Sequence, residues 1–171
     1  IYCNNNSRPR IENLIITNNV ADFGGGIQCF DSSPTIQNVI ITGNTAGNDG
    51  GGIHCYNGSP TLQNVEITNN TSTWKGGGLY CFSHSNVTLQ RVTMNNNSSN
   101  SGGGVYCEGS NPTITNSILW NNLPEEIYIL RDPVTVSYSN VLGGWEGQGN
   151  INAQPLFCSP DTGNYKLAEN S

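Results

Sequence analysis

Five cysteines are the most reactive side chains of the 171-residue sequence, and they recur at a fixed interval. Cys3, Cys29, Cys55, Cys81 and Cys107 are each separated by 26 residues. A set of thiols at one repeat position could form a column of small buried groups, a series of disulfides or a site for a soft metal. The choice among these depends on how the chain stacks its repeats.

Most of the residues that flank the cysteines have ring-bearing side chains. Tyr2, Gln28, His54, Tyr80 and Tyr106 precede them, and Phe30, Tyr56, Phe82 and Glu108 follow. Aromatic faces exposed in a row can stack on the sugar rings of a polymer. Alternatively, the rings stack on one another along the molecule, or a neighbouring segment covers them. The carbohydrate-binding interpretation assigns the site to Tyr2, His54, Tyr56, Tyr80, Phe82 and Tyr106.

The acidic and basic residues do not form a catalytic pattern. A polysaccharide lyase needs a base and a means of neutralising a uronate, and a glycoside hydrolase needs two facing carboxylates. No two carboxylates occupy the same repeat position on adjacent units, and His54 and His84 fall at different offsets. Asp49 and Lys75 share a position one repeat apart, which predicts a surface ion pair. We assign no catalytic residue.

The elements that must carry these residues follow from the repeat. Gly-Gly-Gly begins at positions 24, 50, 76 and 102, and a second block, such as PTIQNVIIT at 34–42, follows each cysteine. Two units insert one residue before this block, in the stretches at Asn4 and Ser83, and lose one after it. Short β-branched segments broken by Gly, Pro and Asn form strands and turns rather than helices. A period of this length predicts a solenoid, here an all-β parallel β-helix of about six coils of 26 residues.

Alternation along the strands predicts which side chains face the core. The expected inward residues are the cysteines with Ile27, Ile53, Leu79 and Val105, and three further stripes: Ile11, Ile36, Leu62, Leu89, Ile114; Leu14, Val39, Val65, Val92, Ser117; and Ile16, Ile41, Ile67, Met94, Leu119. Two Asn columns are expected to form turn ladders: Asn13, Asn38, Asn64 and Asn116, interrupted by Arg91, and Asn19, Asn44, Asn70, Asn97 and Asn122.

Stacking at about 4.8 Å per coil favours one of the three interpretations of the cysteine column. A linear column provides no tetrahedral set of ligands, and parallel side chains on adjacent strands fit the disulfide torsion poorly. We therefore expect a ladder of free buried thiols, no metal site and no cofactor. Cys158 lies outside the repeat.

Composition limits the partners. The formal charge is −6, with six Lys and Arg, and no basic run is present, which argues against a nucleic-acid surface. No apolar stretch approaches the roughly 20 residues of a membrane-spanning helix. We expect a single domain, with β-helix coils over residues 1–133 and the last coil and a C-terminal cap over residues 134–171.

The coil pattern GGGI-x-C followed by SPTIQNVIITGN resembles the bacterial right-handed parallel β-helix repeat proteins of the secreted or surface type, which share the pectate-lyase-like superfold. The tail from Ser137 to Phe157, with SPDTGNYKLAENS after it, resembles their closing region before a surface-sorting domain. The resemblance implies a right-handed single-stranded helix, export as part of a longer precursor, and a place outside the cell or on its surface. It supplies no lyase motif.

These observations favour a non-enzymatic structural or adhesive rod, with end-to-end self-association into a fibre or contact with other surface proteins as its mode of assembly. The first alternative is a polysaccharide-binding module that uses the aromatic stripe. The second is a polysaccharide lyase or epimerase with atypical residues, because this superfold carries several chemistries.

Overall fold

The computed structural model describes residues 1–162 and 164–168, and gives no side-chain placement for Asp161. Within them the chain forms short strands and one turn of 3₁₀ helix at Pro160–Thr162. The strands are β1 Tyr2–Cys3, β2 Arg10–Glu12, β3 Ile15–Thr17, β4 Val20–Ala21, β5 Ile27–Phe30, β6 Thr35–Thr42, β7 Thr45–Ala46, β8 Ile53–Tyr56, β9 Thr61–Thr68, β10 Thr71–Ser72, β11 Leu79–Phe82, β12 Thr88–Asn95, β13 Val105–Glu108, β14 Thr113–Thr115, β15 Ile118–Trp120, β16 Ile127–Leu130, β17 Thr135–Ser137, β18 Asn140–Val141, β19 Phe157–Ser159 and β20 Asn164–Leu167.

All strands except β19 and β20 assemble into three parallel sheets, of which the first two run along the whole solenoid and the third joins three coils. The first sheet has the order β1-β5-β8-β11-β13-β16. The second contains β2, β6, β9, β12, β14 and β17, with β3, β15 and β18 beside them, and the third is β4-β7-β10. Each strand pairs with the equivalent strand one coil away, so the chain is an all-β parallel solenoid of about five turns.

The register of the first sheet reproduces the repeat. Cys3 pairs with Cys29, and the same column continues through Cys55, Cys81 and Cys107. In the next step Cys107 pairs with Ile129, 22 residues further on. The last coil is therefore shorter than the 26 residues expected, because it belongs to the non-repetitive part of the sequence.

The two inserted residues lie at one corner of the solenoid. Ordinary coils turn this corner with one residue at positive φ: Asp31, Asn57 or Gly109. The coils with the insertion use two consecutive residues at positive φ, Asn5 and Asn6 in one and Ser83 and His84 in the other. The extra residue is absorbed in the corner, so the strands on both sides keep their register.

The core fills the space between the sheets with the predicted stripes. The four stripes are buried in every interior coil, and the largest fully buried side chains include Ile36, Ile53, Ile67, Leu89 and Met94. Leu14 is the exception, because 45% of it is exposed although it aligns with buried Val39. It belongs to the first coil, which is covered by a neighbour on one side only.

The triple glycines mark a corner where adjacent coils approach closely. Gly24 has φ +60°, and a Cβ on Gly25 would lie 2.6 Å from the carbonyl oxygens of Gly51 and Thr45. Any larger residue at the second glycine would collide with main-chain atoms. This corner also lies against the outer side of the first sheet.

The C-terminal region does two things. Trp145 packs on the last core residues, and Asn150 accepts a hydrogen bond from the main-chain N–H of Ser139, so this loop covers the end of the solenoid. The antiparallel pair β19–β20 instead folds back along the second sheet, where the hydroxyl of buried Tyr165 accepts a bond from Asn96 at 3.4 Å. Of the segment expected to form the cap, Gly163 and residues 169–171 lie outside the described residues. No helix in the described part of the chain has the length and hydropathy of a membrane span.

Candidate functional site

A column of rings lies on the outer side of the first sheet. His54, Tyr80, Tyr106 and Tyr128 occupy successive strands, with ring centroids 5.2, 5.5 and 4.9 Å apart. His54, Tyr80 and Tyr106 are only 6, 5 and 4% exposed. The glycine corner covers them. A Cβ on the first glycine of each triplet, Gly50, Gly76 or Gly102, would lie 2.7–2.8 Å from the Cβ atom of the ring-bearing residue four positions later in the same coil.

A second ring column lies beside the first and is more accessible. Phe30 and Tyr56 are stacked in parallel with centroids 4.8 Å apart and planes 7° apart, and Phe82 follows at 5.5 Å. Phe30 is exposed, and Tyr56 and Phe82 are partly exposed. In the next coil Glu108 takes the place of a ring.

The carbohydrate-binding residues expected from sequence therefore separate into three groups. Tyr2 is exposed, at the edge of the first sheet. Tyr56 and Phe82 keep part of their ring surfaces accessible. His54, Tyr80 and Tyr106 lack the exposure that the carbohydrate-binding interpretation needs, because the glycine corner covers their column, as in the alternative that a neighbouring segment covers the rings.

Charged groups lie next to the buried rings. Lys75 Nζ is 3.0 Å from Glu108 Oε2 and stands 5.0 Å from the ring centroid of Tyr106 and 5.8 Å from that of Tyr80. Burial lowers the pKa of Lys75, but the hydrogen bond with Glu108 and the nearby negative groups outweigh it, so the pKa rises. Asp49 pairs with Lys75 through the main chain, and burial raises the pKa of its carboxyl although Lys75 opposes the shift.

A shallow cleft of about 280 Å³ opens between the two ring columns. It is bordered by Phe23, Gln28, Phe30, Asp49, His54, Tyr56, Tyr80 and Phe82. Asp49 Oδ1 and His54 Nδ1 are buried and have no hydrogen-bond partner among the described residues. Burial lowers the pKa of His54 to about 4, so its imidazole is neutral at neutral pH.

The two Asn columns have different structural roles. Asn13, Asn38, Asn64 and Asn116, together with Arg91, all have φ between 50 and 55° and lie on the surface. The second column is a buried amide ladder, in which the main-chain N–H and Nδ2 of each Asn donate to Oδ1 of the Asn one coil ahead. Here the left-handed residue is the one before each Asn, such as Asn69 or Asn96. The members of the ladder are Asn19, which is exposed in the first coil, and buried Asn44, Asn70, Asn97 and Asn122.

A buried carboxylate ends the amide ladder. Glu126 Oε1 accepts the main-chain N–H of Asn122 at 3.1 Å, and Oε2 accepts its Nδ2. Burial raises the pKa of Glu126 to about 7, although the hydrogen bonds from Asn122 and Asn121 oppose the shift. The carboxylate thus takes the place that the next Asn amide oxygen would occupy.

The cysteine column lies inside the core. Cys3, Cys29, Cys55, Cys81 and Cys107 are buried free thiols, and Cys158 is an exposed one. Burial raises the pKa of the Cys81 thiol, which keeps it protonated. Among residues 1–162 and 164–168 no group of three or more His, Cys, Asp and Glu is arranged to hold a metal ion.

Sequence reasoning missed two arrangements. The Lys75–Glu108 pair joins residues 33 apart from different repeat positions, so a comparison of equivalent positions could not find it. Glu126 ends the ladder from a position four residues after Asn122, where the repeat has already broken down. The ion pair expected between Asp49 and Lys75 is replaced by the pair of Lys75 with Glu108, because Asp49 and Lys75 meet through their main chains while the lysine side chain extends over the rings to the next coil.

Comparison with known proteins places the chain by its fold. The family model described as "Right handed beta helix region" matches residues 1–149. No curated protein sequence and no solved structure gives a match to the chain. The match covers the coils, the ladders and the cap loop as far as residue 149, so the chain belongs to the right-handed β-helix family.

Proposed function

We propose that the chain is a non-enzymatic rod module of a secreted or cell-surface protein, which holds other parts of that protein at a fixed spacing. The observation that carries the proposal is the continuity of its ladders. The amide ladder connects every coil from Asn19 to Asn122 without a break, in parallel with three sheets. Buried hydrogen-bond networks in which every member is satisfied make a body stiff.

A rod of this kind should keep a constant length in solution. Thr35 and Thr135 are exposed and lie in the same row of the second sheet, four coil steps apart. Spin labels on Thr35→Cys and Thr135→Cys, with exposed Cys158→Ser, should give a narrow distance distribution centred at about 20 Å. The buried cysteines should remain unlabelled. A broad distribution would contradict a spacer function.

Electrophoresis through gels cast with neutral and acidic polysaccharides separates the rod from its alternatives. Unchanged migration and intact polymer are expected for the rod. Clearing of the polymer would identify a lyase or another depolymerase, while an epimerase would leave the polymer intact and needs a product assay. Retardation without clearing would identify a binding module.

Polysaccharide binding is the second candidate, and the stacked rings of Phe30, Tyr56 and Phe82 favour it. They form an accessible apolar row across three coils, and ring stacking on sugars is a general mode of recognition. The test is Phe30→Ala with Phe82→Ala, because these rings lie outside the core. Retardation in a gel that disappears in this variant, with unchanged thermal unfolding, would support the candidate.

We also propose end-to-end assembly through the first coil. Its strands β1, β2 and β4 are edge strands of the three sheets. Its exposed apolar residues are Ile1, Tyr2, Leu14, Ile15 and Val20. An unpaired edge with apolar side chains is a surface on which a further strand can add.

A further inference from the structure

The molecule already contains one example of an ammonium group held by this surface. Lys75 Nζ lies over the rings of Tyr80 and Tyr106 and pairs with Glu108 at 3.0 Å. Ring faces attract cations through their quadrupole, and a carboxylate completes the charge balance. Two rings of the first column and one carboxylate therefore hold this amine.

The cleft one coil closer to the N-terminus also combines rings with a carboxylate; no amine borders it, although the charge of Lys75 acts on Asp49 from outside the cleft. Phe30, Tyr56 and Phe82 provide rings, and Asp49 provides the carboxylate. No Lys or Arg borders it. Its wall contains His54, which is 6% exposed and whose Nδ1 has no partner, together with the unpartnered Oδ1 of Asp49.

The unsatisfied atoms define the chemistry of the ligand. A buried oxygen and a buried imidazole nitrogen without partners leave hydrogen-bonding capacity unused, which is unfavourable. A carboxylate oxygen accepts hydrogen bonds, and so does Nδ1 of a neutral imidazole whose proton is on Nε2, while a primary ammonium supplies up to three donors. The charge of −6 on the whole chain also favours a cationic ligand over an anionic one.

We propose that the cleft bordered by Asp49, His54 and the rings of Phe30, Tyr56 and Phe82 is a binding site for a primary organic ammonium group. Small rotations of the Asp49 and His54 side chains, whose unpartnered atoms are buried, bring those atoms to the group, and the carbon chain that carries it lies against the rings. A volume of about 280 Å³ is at the lower end of the range for ligand sites, so the site suits a small amine or the end of a longer one. This inference goes beyond the rod function and does not depend on it.

The probes are n-butylammonium, tetramethylammonium and n-butanol, added to the ¹⁵N-labelled chain at constant ionic strength and pH 7.5. We expect butylammonium to bind most tightly, because it has both the charge and the donors. Tetramethylammonium, which has the charge alone, should bind about threefold to tenfold more weakly, and butanol more weakly again. The amide shifts should centre on Asp49, His54 and Tyr56.

Variants test the assignment of the site. Asp49→Asn keeps the shape of the side chain and removes its charge, and should weaken butylammonium binding at least about fivefold. Phe30→Leu alters an exposed ring without disturbing the core, and should weaken binding a few-fold. Asp132→Asn removes an exposed acid at another corner and should leave the affinity unchanged. Unfolding temperatures and the remaining amide shifts report whether each variant is folded.

Three results would overturn the proposal. They are butylammonium binding no more tightly than butanol, unchanged butylammonium affinity in both Asp49→Asn and Phe30→Leu, and amide shifts only near Lys75. Binding of a neutral oligosaccharide in the same cleft, with no response to the amines, would support the polysaccharide candidate instead. The spin-label distances would be the same in every case, so failure here leaves the rod proposal unaffected.

Discussion

Glu126 illustrates how one side chain ends a repeating hydrogen-bond system. Along the ladder each Asn Oδ1 accepts two bonds from the preceding coil, as Asn70 does from the main-chain N–H and Nδ2 of Asn44 at 3.0 and 2.9 Å. Glu126 accepts the same two bonds from Asn122 with two oxygens. The ladder is satisfied, but a carboxyl group is placed where water does not solvate its charge.

Glu126 should make the chain less stable as the pH rises. Its folded pKa is about 7, above the value of 4.5 expected when unfolded. Between these values the folded state binds the extra proton, so stability is complete below about pH 4.5 and declines as the pH approaches 7. Glu126→Gln should remove this decline. The free energy of unfolding of the variant, relative to that of the parent, should be about 1–2 kcal/mol higher at pH 8 than at pH 4.5. Urea unfolding at both pH values measures the gain, and equal pH dependence in the two proteins would contradict it.

His54 should act in the opposite direction. Its folded pKa is about 4, below the value of 6.5 expected when unfolded. The unfolded state binds the extra proton between these values, so stability is lost as the pH falls from 6.5 to 4. His54→Gln is a suitable replacement because Gln28 occupies the same column. We expect this variant to lose stability from pH 4.5 to 7 more steeply than the parent, since the effect of Glu126 is then unopposed. A parallel pH profile would show that His54 is not buried in its neutral form.

At the scale of the element, the two Asn columns have different requirements at their corners. The surface Asn column needs a left-handed residue, and its φ values remain between 50 and 55° even where Arg91 replaces Asn. The buried column needs an amide, because its members bond both to the next Asn and to the main chain of the preceding coil. The same residue type is thus chosen for its backbone in one column and for its side chain in the other.

Asn70→Ala should be much more destabilising than Asn64→Ala. Asn70 is fully buried, accepts two bonds from Asn44 and donates to Asn97 and Ile41. Its truncation leaves several buried polar groups unpaired, and we expect a loss of about 3 kcal/mol or more. Asn64 is exposed, so Asn64→Ala should lose about 1 kcal/mol through the left-handed conformation. Chemical denaturation of both variants measures the difference, and equal losses would mean that the buried ladder contributes little.

The interior of each element could be predicted from sequence because a column repeats one environment. Cys55, Ile67 and Leu89 are buried as expected, since every interior coil has a neighbour on both sides. Leu14 could not be predicted in the same way, because its environment depends on the end of the stack. The burial of Tyr80 depends on the preceding glycine corner, whose path over the sheet is a property of the folded coil rather than of strand alternation.

At the scale of the whole molecule, the two ends differ. The C-terminal end has Glu126 on the ladder and Trp145 on the core. The other end has Asn19, which donates to Asn44 and receives no bond at its own Oδ1 among the described residues. Within the described residues the ladder thus ends on a carboxylate at its C-terminal side, while β1, β2 and β4 are the edge strands on which the proposed assembly depends.

The open edge should make the chain associate at high concentration. Ile15 and Val20 are 68 and 80% exposed on the first coil. Sedimentation velocity is expected to show oligomers whose fraction rises with concentration, and Ile15→Lys with Val20→Lys should remove them, because charges on an edge oppose strand addition. Leu156→Lys, at an exposed position in the C-terminal tail, is the matched control and should leave association unchanged. A single monomeric species at all concentrations would contradict assembly.

The register of the first sheet allows one whole coil to be deleted or duplicated, in evolution or by protein engineering. Ile27, Ile53 and Leu79 are successive partners, so residues 53–78 form a cassette whose removal joins Gly52 to Leu79. Deleting the cassette should leave a folded protein in which the Thr35–Thr135 spin-label distance is shorter by about 4.8 Å. Deleting only residues 53–65 should abolish cooperative unfolding, because all later columns lose their alignment. The length of the solenoid therefore changes only in steps of one coil. Duplication or loss of one whole cassette lengthens or shortens the protein and leaves the packing of its core unchanged.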